Sequence, residues 1–403
     1  MNQSGPTSAL LRFVAGQSGS FIAYNMLVIA VGWQIYDLTG SAMSLGLVGL
    51  AQFLPQFLLT LVVGHVADRF DRRRIVALCL GLEGFLALVL AVGSVTHVLG
   101  ETGILACSLL LGAARSFESP TAAALLPALV PARDLPRSLS LAASARQFGA
   151  IAGPALGGVI YVAGPEVVYG VAAACFLCAC FLFASIRTVA APPRREPATL
   201  ASVFGGITYI WKQPVILGAI SLDLFSVLLG GATALLPIFA KDILHCGPWG
   251  LGVLRAAPAA GALAMSLALA RWPLRRRVGH TMFASVALFG ATVVAFGLST
   301  SFYLSLVALL VQGAADMVSV VIRSSLVQLE TPDEMRGRVS AVNFIFIGAS
   351  NQLGEFESGV TAAWFGTVPA VVLGGVATLV VVALWMRLFP DLARRQELAA
   401  NPA

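Results

Sequence analysis

Ten ionisable residues, Glu83, Arg115, Glu118, Arg146, Asp223, Arg255, Asp316, Arg323, Glu355 and Glu357, fall within stretches that are otherwise almost wholly apolar. If those stretches lie in hydrocarbon, each charge costs about 2.5 kcal/mol or more at mid-depth, so such groups pair, line a wet cavity or carry protons. Arg115 and Glu118 stand three apart and share one helix face. Glu118 and Arg146 lie about nine and eight residues from their cytoplasmic helix ends, roughly 12 to 14 Å deep at 1.5 Å per residue. The spacing predicts one charge cluster between the fourth and fifth spans, serving either as a structural ion pair or as a proton-coupled switch. Asp223 and Asp316 each lack a cation within one turn of the same helix. A carboxyl buried without a partner suits a group that binds and releases a proton near neutral pH, and either residue is a candidate carrier. Asn343, Ser350, Asn351, Gln352, Glu355, Glu357 and Ser358 crowd one further segment. There Glu355 falls four residues from Asn351 and three from Gln352, so one polar stripe can face a cavity. Glu357 points away from that stripe and is expected to pack on a neighbouring helix. Gln17, Tyr24, Asn25, Gln34, Gln52 and Gln56 add neutral hydrogen-bonding groups, suited to amphipathic cargo or to interhelical hydrogen bonds worth about 0.6 kcal/mol each.

The elements that hold these groups follow from composition. Of the 403 residues 58% are hydrophobic and only 11% charged, and the mean hydropathy of +0.88 lies outside the range of ordinary soluble domains. Apolar segments long enough to cross a bilayer are expected near 13-36, 43-66, 75-96, 103-126, 138-163, 167-187, 214-238, 250-270, 280-300, 302-326, 339-365 and 367-389. Backbone polar groups in hydrocarbon must be satisfied within their own segment, so all twelve are read as α-helices. Arg12 precedes a run of full spanning length, which reads as a retained first span rather than a cleaved leader. The net charge of +6 resides in short loops rather than on one face, which argues against nucleic acid. Cys175, Cys178 and Cys180 sit in an apolar run without clustered His or acid and read as small packing residues, so no metal is expected. His65, His97, His245 and His280 are scattered, and the sequence has no phosphate-cradling loop, no His-Glu-x-x-His and no nucleophile elbow. The chain is therefore read as neither an enzyme nor an ATP-driven pump, and no cofactor is expected.

Loop charge gives orientation and organisation. If the N-terminus is cytoplasmic, the inside loops hold Arg69, Arg72, Arg73, Arg74, Arg133, Arg137, Arg194, Arg195, Arg271, Arg275, Arg276, Arg277, Arg336 and Arg338, while the outside loops hold one cation, Lys241. The positive-inside rule then places both termini in the cytoplasm. The longest inside connection, 188-213, begins with Pro192, Pro193 and Pro197 and ends in Leu200, Val203, Phe204, Ile207, Ile210 and Trp211 at helical spacing, a stretch that could lie along the membrane surface. It separates an N-terminal bundle, 1-187, from a C-terminal bundle, 214-403. A shift of 201 positions places Gly112 on Gly313, Pro131 on Pro332, Arg137 on Arg338, Gly153 on Gly354 and Gly158 on Gly359, which points to duplication. The expected architecture is all-α, two pseudo-symmetric six-helix bundles around a central cavity.

Two motifs carry a family resemblance. Gly64, Asp68, Arg69 and Arg72 to Arg74 follow the second span. The pattern resembles the loop motif of the major facilitator superfamily, with Asp71 standing where that motif most often has Gly. The second-half copy keeps only Arg271 and Arg275 to Arg277. In this motif of Gly64, Asp68, Arg69, Arg72 and Arg73, the resemblance implies that Asp68 and the arginines after it clamp the cytoplasmic ends of neighbouring helices in the outward-facing state; the alternative is that they are topology charges alone. In the fifth span Gly149, Gly153, Pro154, Gly157 and Gly158 are similar to the superfamily's antiporter motif, with Ser140 where its longer form has Gly. Physically, glycines four apart permit close helix contact and the proline removes an amide donor; the resemblance alone implies export. Leu125-Leu126-Pro127-Ala128-Leu129-Val130 and Thr331-Pro332-Asp333-Glu334-Met335-Arg336-Gly337-Arg338 resemble the branch that contains the enterobactin exporter and related multidrug exporters. That resemblance implies a proton-coupled antiporter exporting siderophores, drugs or other small amphipathic molecules, in the cytoplasmic membrane of a bacterium and working as a monomer. The nearest alternative is an importer or lysolipid transporter of the same fold. A transporter-like receptor would need an appended signalling domain.

Overall fold

The computed structural model describes residues 4–186, 200–274 and 276–398, without the side chains of 4–7, 60, 61, 65, 67, 68, 200–204, 341, 344 and 345. The proline-rich part of the linker, with Arg194 and Arg195, and Arg275 lie outside the described residues. The described residues form helices joined by short turns. The first six long helices are α1 (Ser4–Thr39), α2 (Ala42–Arg69), α3 (Arg72–Val95), α4 (Glu101–Leu129), α5 (Leu135–Tyr161) and α6 (Pro165–Ala184). A shorter α7 (Leu200–Lys212) precedes α8 (Pro214–Leu229) and the one-turn α9 (Leu236–Ile238). They are followed by α10 (Gly247–Arg271), α11 (Val278–Leu298), α12 (Phe302–Glu330), α13 (Asp333–Phe365), α14 (Thr367–Leu388) and a terminal turn, α15 (Pro390–Ala393).

Among the described residues, nine segments are long and apolar enough to cross a membrane. The remaining three of the twelve expected spans are α4, α5 and α13, which have ample length at 29, 27 and 33 residues but carry charged and polar side chains. Their lower hydropathy reflects the groups expected to do chemistry. The segment after α8 is irregular: a 3-10 turn at Ala232–Leu235, α9, and a π-helical turn at Phe239–Ile243. Close packing and a missing donor explain the break. A Cβ on Gly231 would lie 2.6 Å from the Gly354 carbonyl oxygen, and Pro237 cannot donate an amide hydrogen bond. Irregular backbone at membrane depth is tolerated where it lines a cavity.

The chain divides into two compact units. One comprises described parts of Met1–Gly40, Ala51–Pro197 and Cys246–Ala256, the other those of Ser41–Leu50, Ala198–His245 and Ala257–Ala403. In the first unit, Arg12 Nη1 donates to the Ser185 carbonyl at 2.7 Å and Arg73 Nη1 to the Ile186 carbonyl at 2.5 Å, so guanidiniums cap the C-terminal end of α6. In the second unit the apolar stripe of α7 meets protein. Ile210 is buried with Val327, Val339 and Val342, Ile207 packs beside them, and Tyr209 Oη donates to the Glu330 carbonyl at 3.1 Å, whereas Trp211 stays exposed. The segment after α15 is also docked: Arg395 pairs with Glu330, and the Arg395 and Gln396 carbonyls accept from the Gly279 and Val278 amides that open α11.

The positions matched by the 201-residue shift make equivalent contacts. Gly153 of α5 packs on Ile22 and Asn25 of α1, and Gly354 of α13 packs on Val227 and Leu228 of α8. Gly158 of α5 meets Gly252 of α10, and Gly359 of α13 meets Gly46 of α2; an added Cβ would stand 2.8 Å and 2.6 Å from the facing glycine Cα, respectively. Gly112 of α4 approaches the Gln52 carbonyl of α2, and Gly313 of α12 approaches the Pro258 carbonyl of α10. Each repeat therefore uses its glycines for the same helix pairings.

Candidate functional site

In the first unit, α1, α3 and α4 bring together Ser20, Glu83, Arg115 and Glu118. Arg115 Nη1 stands 3.1 Å from Glu118 Oε2 and 3.9 Å from Glu83 Oε2, and donates to Ser20 Oγ at 3.0 Å. Ser20 Oγ in turn donates to Glu118 Oε1 at 3.2 Å. The Arg115 guanidinium lies 4.8 Å from the Phe21 ring centroid and 4.2 Å from that of Tyr24. Arg146 on α5 lies against the same Phe21 ring at 5.3 Å and is itself exposed. Each guanidinium is attracted to the quadrupole of the shared Phe21 ring. Arg115 and Glu118 thus pair on α4 and Glu83 joins them from α3, whereas Arg146 reaches only the shared Phe21 ring, so the cluster expected between the fourth and fifth spans centres instead on α1, α3 and α4. The signal for Glu83 was depth: it lies about eleven residues from Arg72, and Glu118 about eleven from Leu129, so at 1.5 Å per residue both sit at one level.

In the second unit Asp223 does not remain unpaired. Arg323 Nη1 of α12 donates to Asp223 Oδ2 at 2.6 Å, and the two residues are 3% and 5% exposed. Spacing along one helix does not reveal this partner, because it comes from another helix. Asp316, two turns before Arg323 on α12, makes no hydrogen bond or ion pair among the described residues. It borders two spaces. One, of about 10 Å³, is shared with Asp223, Ser226 and Ser319 and is large enough for one water. The other, of about 180 Å³, is lined by Gln312, Asn351, Glu355, Thr233 and Phe289, with Gly230 and Gly231 of the broken segment in its wall. Asp316 therefore stands between a buried ion pair and a larger cavity of mixed polar and apolar lining. Glu355 and Asn351 both face that cavity, and Asn351 Nδ2 also donates to the Ile347 carbonyl at 2.8 Å. Glu357 accepts from Thr361 Oγ1 of its own helix at 2.6 Å.

The loop and helix motifs are distributed around these clusters. Gly64 has nothing within 4 Å of where a Cβ would sit, Arg69 is exposed, and the Asp68 side chain lies outside the described residues. Asp71 occupies an extended conformation, φ −64°, and N-caps α3 by accepting from the Arg73 amide, so no left-handed turn is required there. Arg73 also pairs with Asp71 at 2.6 Å, and Arg72 Nη1 donates to the Ala124 carbonyl at 3.1 Å. In α5, Gly149, Gly153 and Gly157 form the stripe against α1, Gly158 turns to α10, and the Pro154 carbonyl lies against Gly252. Among the described residues no group of His, Cys, Asp or Glu is arranged to hold a metal.

Membrane-length helices, buried carboxylate and arginine clusters and a polar cavity describe a transporter, and residues 12–402 match the family described as transmembrane secretion effector. The chain belongs to that family of the major facilitator superfamily. Curated relatives include the enterobactin exporter EntS of Citrobacter koseri and that of Shigella boydii, each 26% identical over 391 residues, covering 96% of this chain and 91% of the relative. Solved structures with the same fold include a bacterial homologue of the human lysosomal transporter Spinster in an inward-facing, unoccupied conformation, with TM-score 0.79, 13% identity and 100% of both chains covered. The nucleoside transporter NupG gives TM-score 0.69 at 14% identity over 94% of this chain and 99% of its own. As a member of the superfamily the protein is a multi-pass membrane transporter and not an enzyme.

Proposed function

We propose that this transporter is a proton-coupled antiporter that exports small amphipathic molecules, siderophores or drugs among them, by alternating access. In this reading it works as a monomer in the bacterial cytoplasmic membrane with both termini inside. The observation that carries the reading is Asp316, a carboxyl without a hydrogen-bonding partner among the described residues that borders both the Asp223–Arg323 pair and the cavity holding Asn351 and Glu355. Cargo entering that cavity and a proton on Asp316 compete for the same few ångströms, which is the requirement for exchange. The enterobactin-exporter relatives supply siderophores as a cargo class, and the mixed polar and aromatic lining is compatible with amphipathic molecules. The antiporter-type glycine run of α5 supports the outward direction.

The test is proton movement in liposomes holding purified protein under an imposed pH gradient, with siderophores, dyes, antibiotics and lysolipids offered in turn. Wild type is expected to exchange protons for at least one of these classes. Asp316→Asn is expected to abolish coupling, and Asp223→Asn and Glu355→Gln report which neighbour matters. Cargo movement indifferent to the gradient and to all three substitutions would overturn antiport in favour of facilitated diffusion or lipid transport.

A further inference from the structure

The cluster of the first unit contains a carboxyl held only at the outer limit of its ion pair. Glu83 is 1% exposed, and neither of its carboxyl oxygens has a hydrogen-bond partner among the described residues. Arg115, 3.9 Å away, is already engaged by Glu118 at 3.1 Å and by Ser20 at 3.0 Å. Among the described residues, the other elements packed around Glu83 offer no further cation. From α6, Phe176 and Leu177 pack on the neighbouring Gly84 and the Cys180 thiol on Gly81, while Cys79 lies one turn back on α3. Arg146 touches the cluster only through the Phe21 ring, at 5.3 Å, and is exposed, marking the cluster's solvent-facing edge. Two carboxyls around one guanidinium leave an excess negative charge if both ionise. An ionised carboxylate without a hydrogen bond is penalised far more heavily in such surroundings than the neutral acid.

We propose that Glu83 is a second proton-binding site, physically separate from Asp316 and switched by Arg115. With Arg115 on Glu118, Glu83 holds its proton. When the guanidinium shifts from Glu118 to Glu83, the Glu83 O–H bond breaks, its electron pair stays on the carboxylate and the proton passes to water at the Arg146 edge. The shift needed is small, because the two Arg115 distances differ by less than an ångström. This deepens the proton-coupled reading, yet it makes a separate statement about protonation that holds or fails without any cargo.

Infrared difference spectroscopy of the purified full-length protein, titrated from acid to alkaline pH, reads protonated carboxylic acids directly. Wild type is expected to show two buried acid bands with separate titrations. Glu83→Gln removes one band, and Asp316→Asn removes the other. Glu118→Gln leaves Arg115 with Glu83 as its only carboxylate and is expected to remove the Glu83 band at neutral pH, an effect that a purely structural glutamate would not show. An acid spectrum unchanged by Glu83→Gln, or a Glu83 band indifferent to Glu118→Gln, would overturn the proposal. If Glu83→Gln fails to fold, the Glu118→Gln arm decides alone. Failure of liposome exchange with both infrared bands present would count against antiport and not against this site.

Discussion

The buried ionisable residues fall into two physical kinds, and substitution separates them. Asp223 and Arg323 neutralise each other at 2.6 Å, so removing one strands the other. Arg323→Met is expected to cost about 3 to 5 kcal/mol, while Asp223→Leu combined with Arg323→Met recovers most of it, because an apolar pair of similar volume needs no desolvation. Thermal unfolding in detergent checks both variants. Asp316 has no such partner among the described residues, so Asp316→Asn is expected to leave the melting temperature close to wild type while coupling is lost. Asp71 stands apart from these as an exposed capping carboxylate outside the spans. The Arg73 side-chain hydrogen bond, partly opposed by desolvation, holds its carboxyl below the usual range. Its folded value is depressed, so its contribution is fully present above the ordinary carboxylate range and is lost as pH falls through the lower folded value. Asp71→Ala is therefore expected to cost about 0.5 to 2 kcal/mol at neutral pH, as loss of an N-cap does. The gap to wild type should close only in strong acid, as a pH series of melting curves would show.

At the scale of elements, glycine decides which helices touch. Gly158 meets Gly252, and Gly359 meets Gly46, so an added methyl group falls within 3 Å of facing backbone in both places. Gly158→Ala and Gly359→Ala should each cost about 1 to 3 kcal/mol through forced separation of backbones. Gly170→Ala, with open space around its Cβ, should be neutral or stabilising by up to about 1 kcal/mol. Unfolding midpoints of the three variants test the contrast, and a loss in Gly170→Ala equal to the others would mean that intrinsic backbone effects dominate over contact. The glycine pattern was legible in sequence because duplication and the four-residue spacing of Gly149, Gly153 and Gly157 are local facts. The partner of Asp223 was not, because a salt bridge across helices depends on which faces meet, and 3.6-residue periodicity is weak in segments apolar all round. Likewise the apolar stripe of α7 was visible, but a stripe does not say whether it meets lipid or protein; Val327, Val339 and Val342 settle that. The unwinding after Leu229 left only faint traces in Gly230, Gly231 and Pro237.

For the whole molecule, the strongest constraint is the asymmetry of charge between alternate connections. Arg69, Arg72, Arg73, Arg74, Arg133, Arg137, Arg271, Arg276, Arg277, Arg336 and Arg338 cluster at or beside connections of one set, whereas Lys241 is the cation at those of the other. Two of these arginines also bind backbone carbonyls: Arg72 reaches that of Ala124 within α4 and Arg73 that of Ile186 just past α6. The same residues therefore serve topology and packing, and the two roles can be separated. A periplasm-active phosphatase joined after Gly100, Gly164 or Ser301 is expected to be active, and one joined after Pro131, Trp272 or Thr331 inactive, with a cytoplasm-fluorescent reporter giving the inverse pattern. Replacing Arg73 with Lys keeps the positive charge but loses the planar fork that reaches both Asp71 and Ile186. That variant should retain the reporter pattern while lowering the melting temperature. An inverted reporter pattern in Arg73→Lys would mean that orientation depends on the capping geometry itself, and a pattern active at every site would mean that charge asymmetry does not orient this chain.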